Sequence, residues 1–236
     1  MISVCIATFN GEHYIQEQLD SILPQLTEGD EIIISDDSST DRTIEIIKRY
    51  QSAYITLLEN QTFKSPTFNF ENALKHAKNE LLFLSDQDDV WEKNKVETML
   101  KHLQTYDLVL SDASIINAED LEIEPSFFTL NYSRAGLIHN LMKNSYIGCT
   151  MAFNRNVLTH ALPFPKNIPM HDWWLGMVAE LFGNVYFCKK PLTRYRRHNT
   201  NVSASADKSP YSFYEKLRMR CIMAFNLIKR WLKQWI

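Results

Sequence analysis

The sequence has few cysteines and no long apolar run. Its four cysteines, Cys5, Cys149, Cys188 and Cys221, are far apart, and no pair has the spacing of a zinc finger or a C-x-x-C motif. We therefore expect reduced, mostly buried thiols, as in a cytosolic protein. No stretch reaches the roughly 18 apolar residues that a membrane-spanning helix needs. The N-terminal stretch MISVCIATFNGE also lacks the basic region of a signal peptide.

The sequence also lacks a large net charge and the glycine-rich motifs that bind nucleotides. The net charge of the 236 residues is -3, which gives no general case for a nucleic acid partner. There are only six glycines, and neither a Walker A motif nor G-x-G-x-x-G is present, so a bound nucleotide must be held by other means. Hydrophobic residues make up 45% of the chain, an ordinary globular balance. The length allows one large domain, or a domain with an extension.

Short apolar segments alternate with amphipathic ones along most of the chain. The predicted strands span 2–8, 31–36, 55–59, 80–86 and 107–112, and the predicted helices span 14–23, 43–51, 70–78 and 95–104. The strands are nearly all apolar, which is typical of strands covered on both faces. The alternation predicts an α/β fold with a mostly parallel, doubly wound, Rossmann-like central sheet and flanking helices.

Polar residues follow three of the predicted strands where those strands end. They are Thr8 and Asn10 after the first strand, Asp37 after the second, and Asp86, Asp88 and Asp89 after the fourth. Ligands of such a sheet bind beyond the carboxyl ends of the strands, so we expect these residues in one crevice. A helix cap needs one carboxylate, not three, and carboxylates this close raise one another's pKa.

The acidic stretch LLFLSDQDDVW, residues 81 to 91, predicts a cation site. No Lys or Arg lies nearby before Lys93. Oxygen ligands favour Mg²⁺ or Mn²⁺ over zinc, and Mg²⁺ is commonly shared with substrate phosphates. A nucleoside diphosphate is therefore the expected ligand.

The chain resembles the family 2 glycosyltransferases with the GT-A fold. The matching pieces are ISVCIATFNGEHYIQEQLDSIL, IIISDDSSTDRT, LLFLSDQDDVW, IGCTMAF, HDWW and YRRHNTN, which lie in this order between Ile2 and about Asn201. SDQDDVW followed by HDWW is most similar to the bacterial rhamnosyltransferase-like subset, which builds surface polysaccharides. The resemblance implies an inverting transfer of rhamnose or a hexose from a dTDP- or UDP-sugar. The implied acceptor is a hydroxyl of a glycan or lipid-linked oligosaccharide.

The resemblance also implies where the donor is held. Thr8, Asn10 and Asp37 match positions that hold the nucleotide base and ribose. Asp86 and Asp89 belong to the D-x-D region, which holds the ribose and the metal that bridges the diphosphate.

The metal and the reacting centre are assigned in the same way. Asp88 lies in the D-x-D region, and His198 matches a histidine that completes the shell of Mn²⁺ or Mg²⁺. Asp172 matches the general base, and Gly148 falls in the loop beside the sugar. An N-terminal helix cap is the other interpretation of Asp172. A departure from the family is His171, where Glu usually precedes the base. The Q-x-x-R-W motif of processive synthases is absent after HDWW, which argues for single additions.

Two further residues are candidates for substrate contact. Trp173 and Trp174 cannot share one face of a helix, so Trp173 either stacks on a sugar ring or packs in the core. Arg197 lies in a basic stretch that could meet diphosphate oxygens, because Arg pairs with phosphate in a bidentate manner.

The C-terminal part differs in composition. We divide the chain into a glycosyltransferase domain, 1–205, and an extension, 206–236, with a flexible polar loop predicted over 199–210. Residues 211–236 interleave Lys and Arg with aromatic and aliphatic residues, as membrane-surface helices do. A core-packing helix or a dimer contact are the alternatives. We expect a cytoplasmic protein, peripheral at the inner face of the cell membrane, of undetermined oligomeric state.

Two other functions remain open from the residues. An apolar strand followed by Asp86-x-Asp88 resembles the first motif of haloacid-dehalogenase-type phosphatases, with Asp86 as nucleophile, although their later lysine and Asp-Asp pair are missing. The third possibility is a non-catalytic domain that binds a sugar nucleotide.

Overall fold

The structure is a computed structural model, and it describes residues 1–198 and 211–233. Most of these residues belong to nine strands and nine helices. The strands are β1 (Ile2–Thr8), β2 (Glu31–Asp36), β3 (Ile55–Leu58), β4 (Leu81–Asp86), β5 (Val90–Trp91), β6 (Leu108–Ile116), β7 (Glu122–Glu124), β8 (Met151–Asn154) and β9 (Val185–Arg196). The helices are α1 (Ile15–Ile22), α2 (Thr43–Arg49), α3 (Pro66–His76), α4 (Lys95–Leu103), α5 (Phe127–Asn131), α6 (Leu137–Met142), α7 (Arg155–Ala161), α8 (His171–Phe182) and α9 (Phe213–Leu232). Each predicted strand and helix is present, with small shifts at the ends.

The sheet has the strand order β3-β2-β1-β4-β8-β6-β9-β5, with β7 paired to β6. The first four strands in this order are parallel. β8 then runs antiparallel between β4 and β6, and β9 is parallel to β6. The mostly parallel sheet is therefore present, but an antiparallel strand interrupts it. β6 also continues to Ile116, past the predicted end at residue 112, because its later residues pair with β9.

The strand register brings the polar strand ends to one edge. Thr8 of β1 lies opposite Asp36 of β2, and Ala7 of β1 lies opposite Asp86 of β4. The loops that follow these three strands consequently start side by side. Their side chains share one crevice, as expected for the carboxyl edge of a parallel sheet.

The core forms two layers, one on each face of the sheet. Alternate strand residues point to opposite faces, so Val4 and Ile6 pack with α1, α2 and α4, while Cys5 packs with α3, α7 and α8. Cys149 and Cys188 are buried as well, which confirms the expectation of mostly buried, unpaired thiols, whereas Cys221 is exposed.

The C-terminal helix α9 packs on the rest of the chain. Met223 is fully buried and Leu227 is nearly so, both in the layer that contains α8. The Arg230 guanidinium donates hydrogen bonds to the carbonyls of Leu162 and Pro163, at 2.7 and 2.6 Å. The predicted loop 199–210, with the boundary after residue 205, and residues 234–236 lie outside the described residues. Within the described ranges, none of the helices is both long and apolar enough to span a bilayer.

Candidate active site

A cleft of about 920 Å³ opens at the carboxyl edge of the parallel strands. Predicted site residues that line it are Thr8, Asn10, Asp37, Asp86, Asp88, Gly148, Asp172 and His198. They come from the ends of β1, β2 and β4, the turn before β8, the start of α8 and the residues after β9. The fold thus gathers side chains that are up to 190 residues apart in the sequence.

Hydrogen bonds between loops shape one wall of the cleft. The Asp37 carboxylate accepts hydrogen bonds from the backbone N–H groups of Phe63 and Ser65, at 2.6 and 3.2 Å. The side-chain carbonyl of Asn10 accepts one from the Thr40 N–H at 2.8 Å. These contacts hold the loops after β1, β2 and β3 together around an open space.

The acidic turn after β4 lines another part of the cleft. His198 Nε2 lies 2.8 Å from Asp88 Oδ2, so the two residues predicted to bind a metal are in contact. Potential ligand atoms of Asp86, Asp89 and Cys149 lie within 4.8 Å of one another. Asp89 is not among the cleft-lining residues, and its Oδ1 accepts a hydrogen bond from the Arg196 backbone N–H at 2.9 Å.

Two buried cations stabilise this turn, and the sequence analysis assigned neither of them to the site. Lys95 is fully buried, and its Nζ donates to the Cys149 carbonyl at 2.6 Å and to Thr193 Oγ1 at 2.7 Å. Arg196 is 1% exposed, and its Nε donates to the Asp88 carbonyl at 2.8 Å. Positive charge therefore does lie beside the acidic residues, but from α4 and β9 rather than from their own segment.

The electrostatics of the turn fit a hard divalent cation. Burial, and then the charges of neighbouring carboxylates, raise the pKa values of Asp86 and Asp89 above the usual range. A cation would relieve this repulsion, and the carboxylates with His198 supply the oxygen and imidazole donors that suit Mn²⁺ or Mg²⁺. Burial and the nearby carboxylates also raise the pKa of the Cys149 thiol, which keeps it protonated and unsuited to ligating a metal.

Asp172 lies in the first turn of α8 and faces the same cleft. The helix N-cap is Met170, and Asp172 Oδ1 accepts a hydrogen bond from the Trp173 N–H at 2.6 Å. Burial raises the pKa of Asp172 to about 6, which that hydrogen bond partly opposes. A carboxylate with such a pKa is ionised at neutral pH and is basic enough to accept a proton.

Besides Asp89, two more of the predicted substrate contacts do not line the cleft. The Trp173 indole N–H donates to the Asn140 carbonyl at 2.9 Å, and the ring is packed in the core and does not line the cleft. The Arg197 N–H donates to the Ile116 carbonyl at 2.8 Å, and its guanidinium lies 5.9 Å from the Tyr195 ring centre. Arg197 is likewise not a cleft-lining residue.

Several cleft residues were missed by the sequence analysis. They include His13, Tyr14, Lys64, Phe70, His171 and Tyr195. The Tyr14 ring stacks on His198 with centres 4.9 Å apart, and the Phe70 ring stacks on His171 at 4.2 Å. The sequence analysis found site residues as polar residues directly after apolar strands, and these residues do not fit that pattern. Only the presence of His171 in place of the usual Glu indicated one of them.

Comparison with known proteins identifies the family. Residues 3–161 match the model of "Glycosyl transferase family 2", which is more than half of the chain. The chain belongs to glycosyl transferase family 2. The family 2 match includes β1, the acidic turn after β4, and Gly148, but it ends before Asp172 and His198.

Two curated relatives of this glycosyltransferase, both bacterial, are similar to it over most of its length. The dTDP-rhamnosyl transferase RfbG of Shigella flexneri is 29% identical over 220 residues, which cover 83% of this chain and 72% of RfbG. WfgD of Escherichia coli, named as a UDP-Glc:alpha-D-GlcNAc-diphosphoundecaprenol beta-1,3-glucosyltransferase, is 25% identical over 215 residues, which cover 88% of this chain and 81% of WfgD.

A solved structure supports the GT-A architecture. S. aureus TarS 1-349 in complex with UDP-GlcNAc superposes with a TM-score of 0.70 at 22% identity, covering 95% of this chain and 66% of the TarS chain. The curled central sheet with flanking helices is common to both. The glycosyltransferase described here thus spans about two thirds of the TarS chain.

The first prediction concerns Arg196. Arg196→Met removes charge-assisted hydrogen bonds to Glu17, Asp120 and the acidic turn, so we expect the free energy of unfolding to fall by about 3 kcal/mol. Arg194→Met is the matched control, since Arg194 is 31% exposed and pairs with Asp120 at 3.4 Å. It should cost less than about 1 kcal/mol in urea denaturation. Equal costs for the two variants would contradict the assigned role of Arg196.

Proposed function

We propose that this family 2 enzyme transfers a sugar, with inversion, from a nucleotide diphosphate sugar to a hydroxyl of a glycan acceptor in bacterial polysaccharide synthesis. One observation carries the proposal: Asp172 lines the same cleft as the Asp88–His198 pair. A base and a site for diphosphate charge are the two groups that an inverting transfer needs. Thr8, Asn10 and Asp37, which also line the cleft, are proposed to hold the base and ribose.

The chemistry assigns a task to each part of the cleft. Breaking the anomeric C–O bond leaves negative charge on the diphosphate, and a bound Mn²⁺ or Mg²⁺ would supply Lewis-acid stabilisation of that charge. Asp88 and His198 are the proposed ligands, with Asp86 and Asp89 beside them. The ionised Asp172 carboxylate accepts the proton of the acceptor hydroxyl as that oxygen attacks the opposite face of the sugar.

The donor is proposed from the relatives. RfbG is named for dTDP-rhamnosyl transfer, WfgD for UDP-Glc, and TarS is solved with UDP-GlcNAc. We propose dTDP-rhamnose or a UDP-hexose, used in single additions. A thermal-shift screen of these donors with Mn²⁺ present distinguishes them, because the productive donor should raise the melting temperature most.

The acceptor is proposed to be lipid-linked and reached at the inner face of the membrane. Tyr214, Leu217, Phe225, Ile228 and Leu232 follow helical spacing along α9 and are all exposed. The basic residues Arg218 and Lys229 are exposed on the same helix, and Lys233 is exposed at its C-cap. An apolar stripe flanked by cations complements an anionic lipid surface. The acceptor in the name of WfgD, a diphosphoundecaprenol lipid, agrees with this proposal.

The phosphatase alternative loses its support. The family match covers β1 to β3, which a phosphatase beginning at β4 would leave without a role. The later lysine and Asp-Asp pair of those phosphatases are also missing from the sequence.

The second prediction concerns the base. Asp172→Asn should reduce kcat by about 10²–10⁴-fold while nucleotide-sugar binding persists, because an amide cannot accept the proton. Since burial raises the pKa of Asp172 to about 6, wild-type kcat at saturating donor should fall as the pH drops through about 6, where the carboxylate becomes protonated. Asp20→Asn, at an exposed position on α1, is the control. Full turnover by Asp172→Asn would exclude Asp172 as the base.

The third prediction concerns the metal ligands. Asp88→Asn should weaken the binding of Mn²⁺ and of the nucleotide together. The Asp88 carboxylate is proposed to bind the cation, and the cation in turn to bind the diphosphate of the nucleotide. Isothermal titration of the nucleoside diphosphate, with Mn²⁺ and with EDTA, measures the two effects. Nucleotide affinity that is insensitive to EDTA in the wild type, and unchanged in Asp88→Asn, would contradict the metal assignment.

The fourth prediction concerns the lipid surface. Phe225 and Ile228 are 65% and 58% exposed on α9, so the double change Phe225→Ser with Ile228→Ser should weaken binding to phosphatidylglycerol–phosphatidylcholine vesicles about tenfold. Leu121→Ser with Ile123→Ser, at 64% and 59% exposure near β7, is the matched control. Vesicle flotation at low and high salt measures both. If both double variants bind the vesicles equally well, a membrane role for α9 is contradicted.

A further inference from the structure

The side chain of Gln87 joins the acidic turn after β4 to the loop after β1. The Phe9 backbone N–H donates a hydrogen bond to Gln87 Oε1 at 2.9 Å, and Gln87 Nε2 donates one to the Phe9 carbonyl at 3.0 Å. The pairing of β1 with β4 reaches Ala7 and Asp86, so Gln87 continues the connection beyond the last strand pair. Because the amide binds both polar backbone groups of one residue, it fixes the backbone of Phe9 in place.

Gly11 makes room for this amide. A Cβ added at Gly11 would meet Gln87 Oε1 and lie 2.7 Å from Gln87 Cδ, closer than real Cβ atoms approach other atoms. The glycines with positive φ among the described residues are Gly29 and Gly136, so the backbone conformation at Gly11 does not require a glycine. The close approach of the Gln87 amide therefore accounts for the glycine at this position.

The two segments that Gln87 joins serve different parts of the cleft. The cleft-lining residues include Thr8, Phe9, Asn10, Gln87 and Asp88. Thr8 and Asn10 are proposed to hold the base and ribose, whereas Asp88 is proposed to hold the cation of the diphosphate. A nucleoside diphosphate has to reach both parts at once, so a fixed spacing between them favours its binding.

Each part of the cleft also has support of its own. The Asn10 N–H donates to Ser39 Oγ at 2.8 Å, and Asn10 Oδ1 accepts from the Thr40 N–H at 2.8 Å, which ties the loop after β1 to the loop after β2. The Asp88 carbonyl accepts from Arg196 Nε at 2.8 Å. Loss of the Gln87 amide would therefore leave both parts folded but free to shift relative to each other.

We propose that Gln87 is a positioning residue that sets the spacing between the part of the cleft for the base and ribose and the part for the diphosphate. It does so by holding the Phe9 backbone against the acidic turn, in the space that Gly11 leaves. This inference rests on the proposed function, because it takes the ligand to be a nucleoside diphosphate. It assigns the effect of Gln87 to the protein contact and not to a contact with the ligand.

The experiment tests the contact from both sides. Gln87→Ala removes the amide, whereas Gly11→Ala keeps the amide but displaces it from Phe9. In the double variant, the space left by the missing Gln87 side chain accommodates the new methyl group. Isothermal titration with Mn²⁺ measures the affinity for dTDP and for UDP, and electron paramagnetic resonance measures the binding of Mn²⁺ alone.

Gln25→Ala is the matched control. The Gln25 amide also bridges two segments, since Nε2 donates to the carbonyls of Ser21 and Glu92 at 2.9 and 3.1 Å, and Oε1 accepts from the Val96 N–H at 3.1 Å. Gln25 is not a cleft-lining residue. Its replacement should lower the melting temperature, because it leaves backbone groups unpaired, and should change the dTDP and UDP affinities less than twofold.

The expected result is a loss of nucleotide affinity that depends on the contact. Gln87→Ala should weaken binding of the nucleotide that the wild type prefers about tenfold, because binding must then also order the two parts of the cleft. Mn²⁺ alone should bind within twofold of the wild type, since Arg196 still supports the acidic turn. Gly11→Ala should show a similar loss for the nucleotide. The double variant should lose no more than Gln87→Ala alone, because no amide remains for the methyl group to displace.

Three results would overturn the assignment. Wild-type nucleotide affinity in Gln87→Ala would exclude a positioning role for the amide. Additive losses in the double variant would show that Gly11 acts independently of Gln87. An equal loss in Gln25→Ala, or an equal loss for Mn²⁺ alone, would make the role of Gln87 one of general stability. A wild-type protein that binds neither dTDP nor UDP with Mn²⁺ would instead overturn the proposed function itself, and this inference with it.

Discussion

The buried guanidinium of Arg196 holds the acidic turn after β4 against the rest of the molecule. It donates to the Asp88 carbonyl and forms ion pairs with Glu17 of α1 at 2.6 Å and with Asp120, before β7, at 2.7 Å. Its backbone N–H binds Asp89. One residue at the end of β9 therefore positions the two like charges of the turn, Asp88 and Asp89. Without such support their repulsion would favour an extended, solvated loop.

Some charged groups at the cleft are paired within the protein, and other polar groups there have room for a ligand. Lys95 and Arg196 offset part of the negative charge, and the Asp88–His198 pair remains on the cleft wall, where a cation could join it. His171 is left unpaired beside the base. A buried polar group without a partner is costly, so an unpaired side chain that lines the same cleft as the acidic residues supports the presence of a binding site there.

The strand ends were predictable, whereas the contributions of other elements were not. Apolar runs followed by Thr8, Asp37 and Asp88 identified the carboxyl edge, because parallel strands covered on both faces have a simple pattern. Trp173 could not be assigned in this way, since a helix start indicates neither which neighbour receives the indole N–H nor which side faces a cleft. Lys95 was missed because its partners, Cys149 and Thr193, are 54 and 98 residues away.

The sequence by itself determined the α/β class, the parallel strands with their polar ends, and the family, since these follow from local periodicity and from short motifs in order. Only the tertiary structure decided that β8 runs antiparallel between β4 and β6, that His198 contacts Asp88, and that His171 is buried against Phe70 without a hydrogen-bond partner among the described residues. The physical reason is the distance along the sequence over which each interaction acts. Hydrophobic periodicity acts over a few residues, whereas ion pairs, burial and pKa shifts depend on which distant segments the packed core brings together.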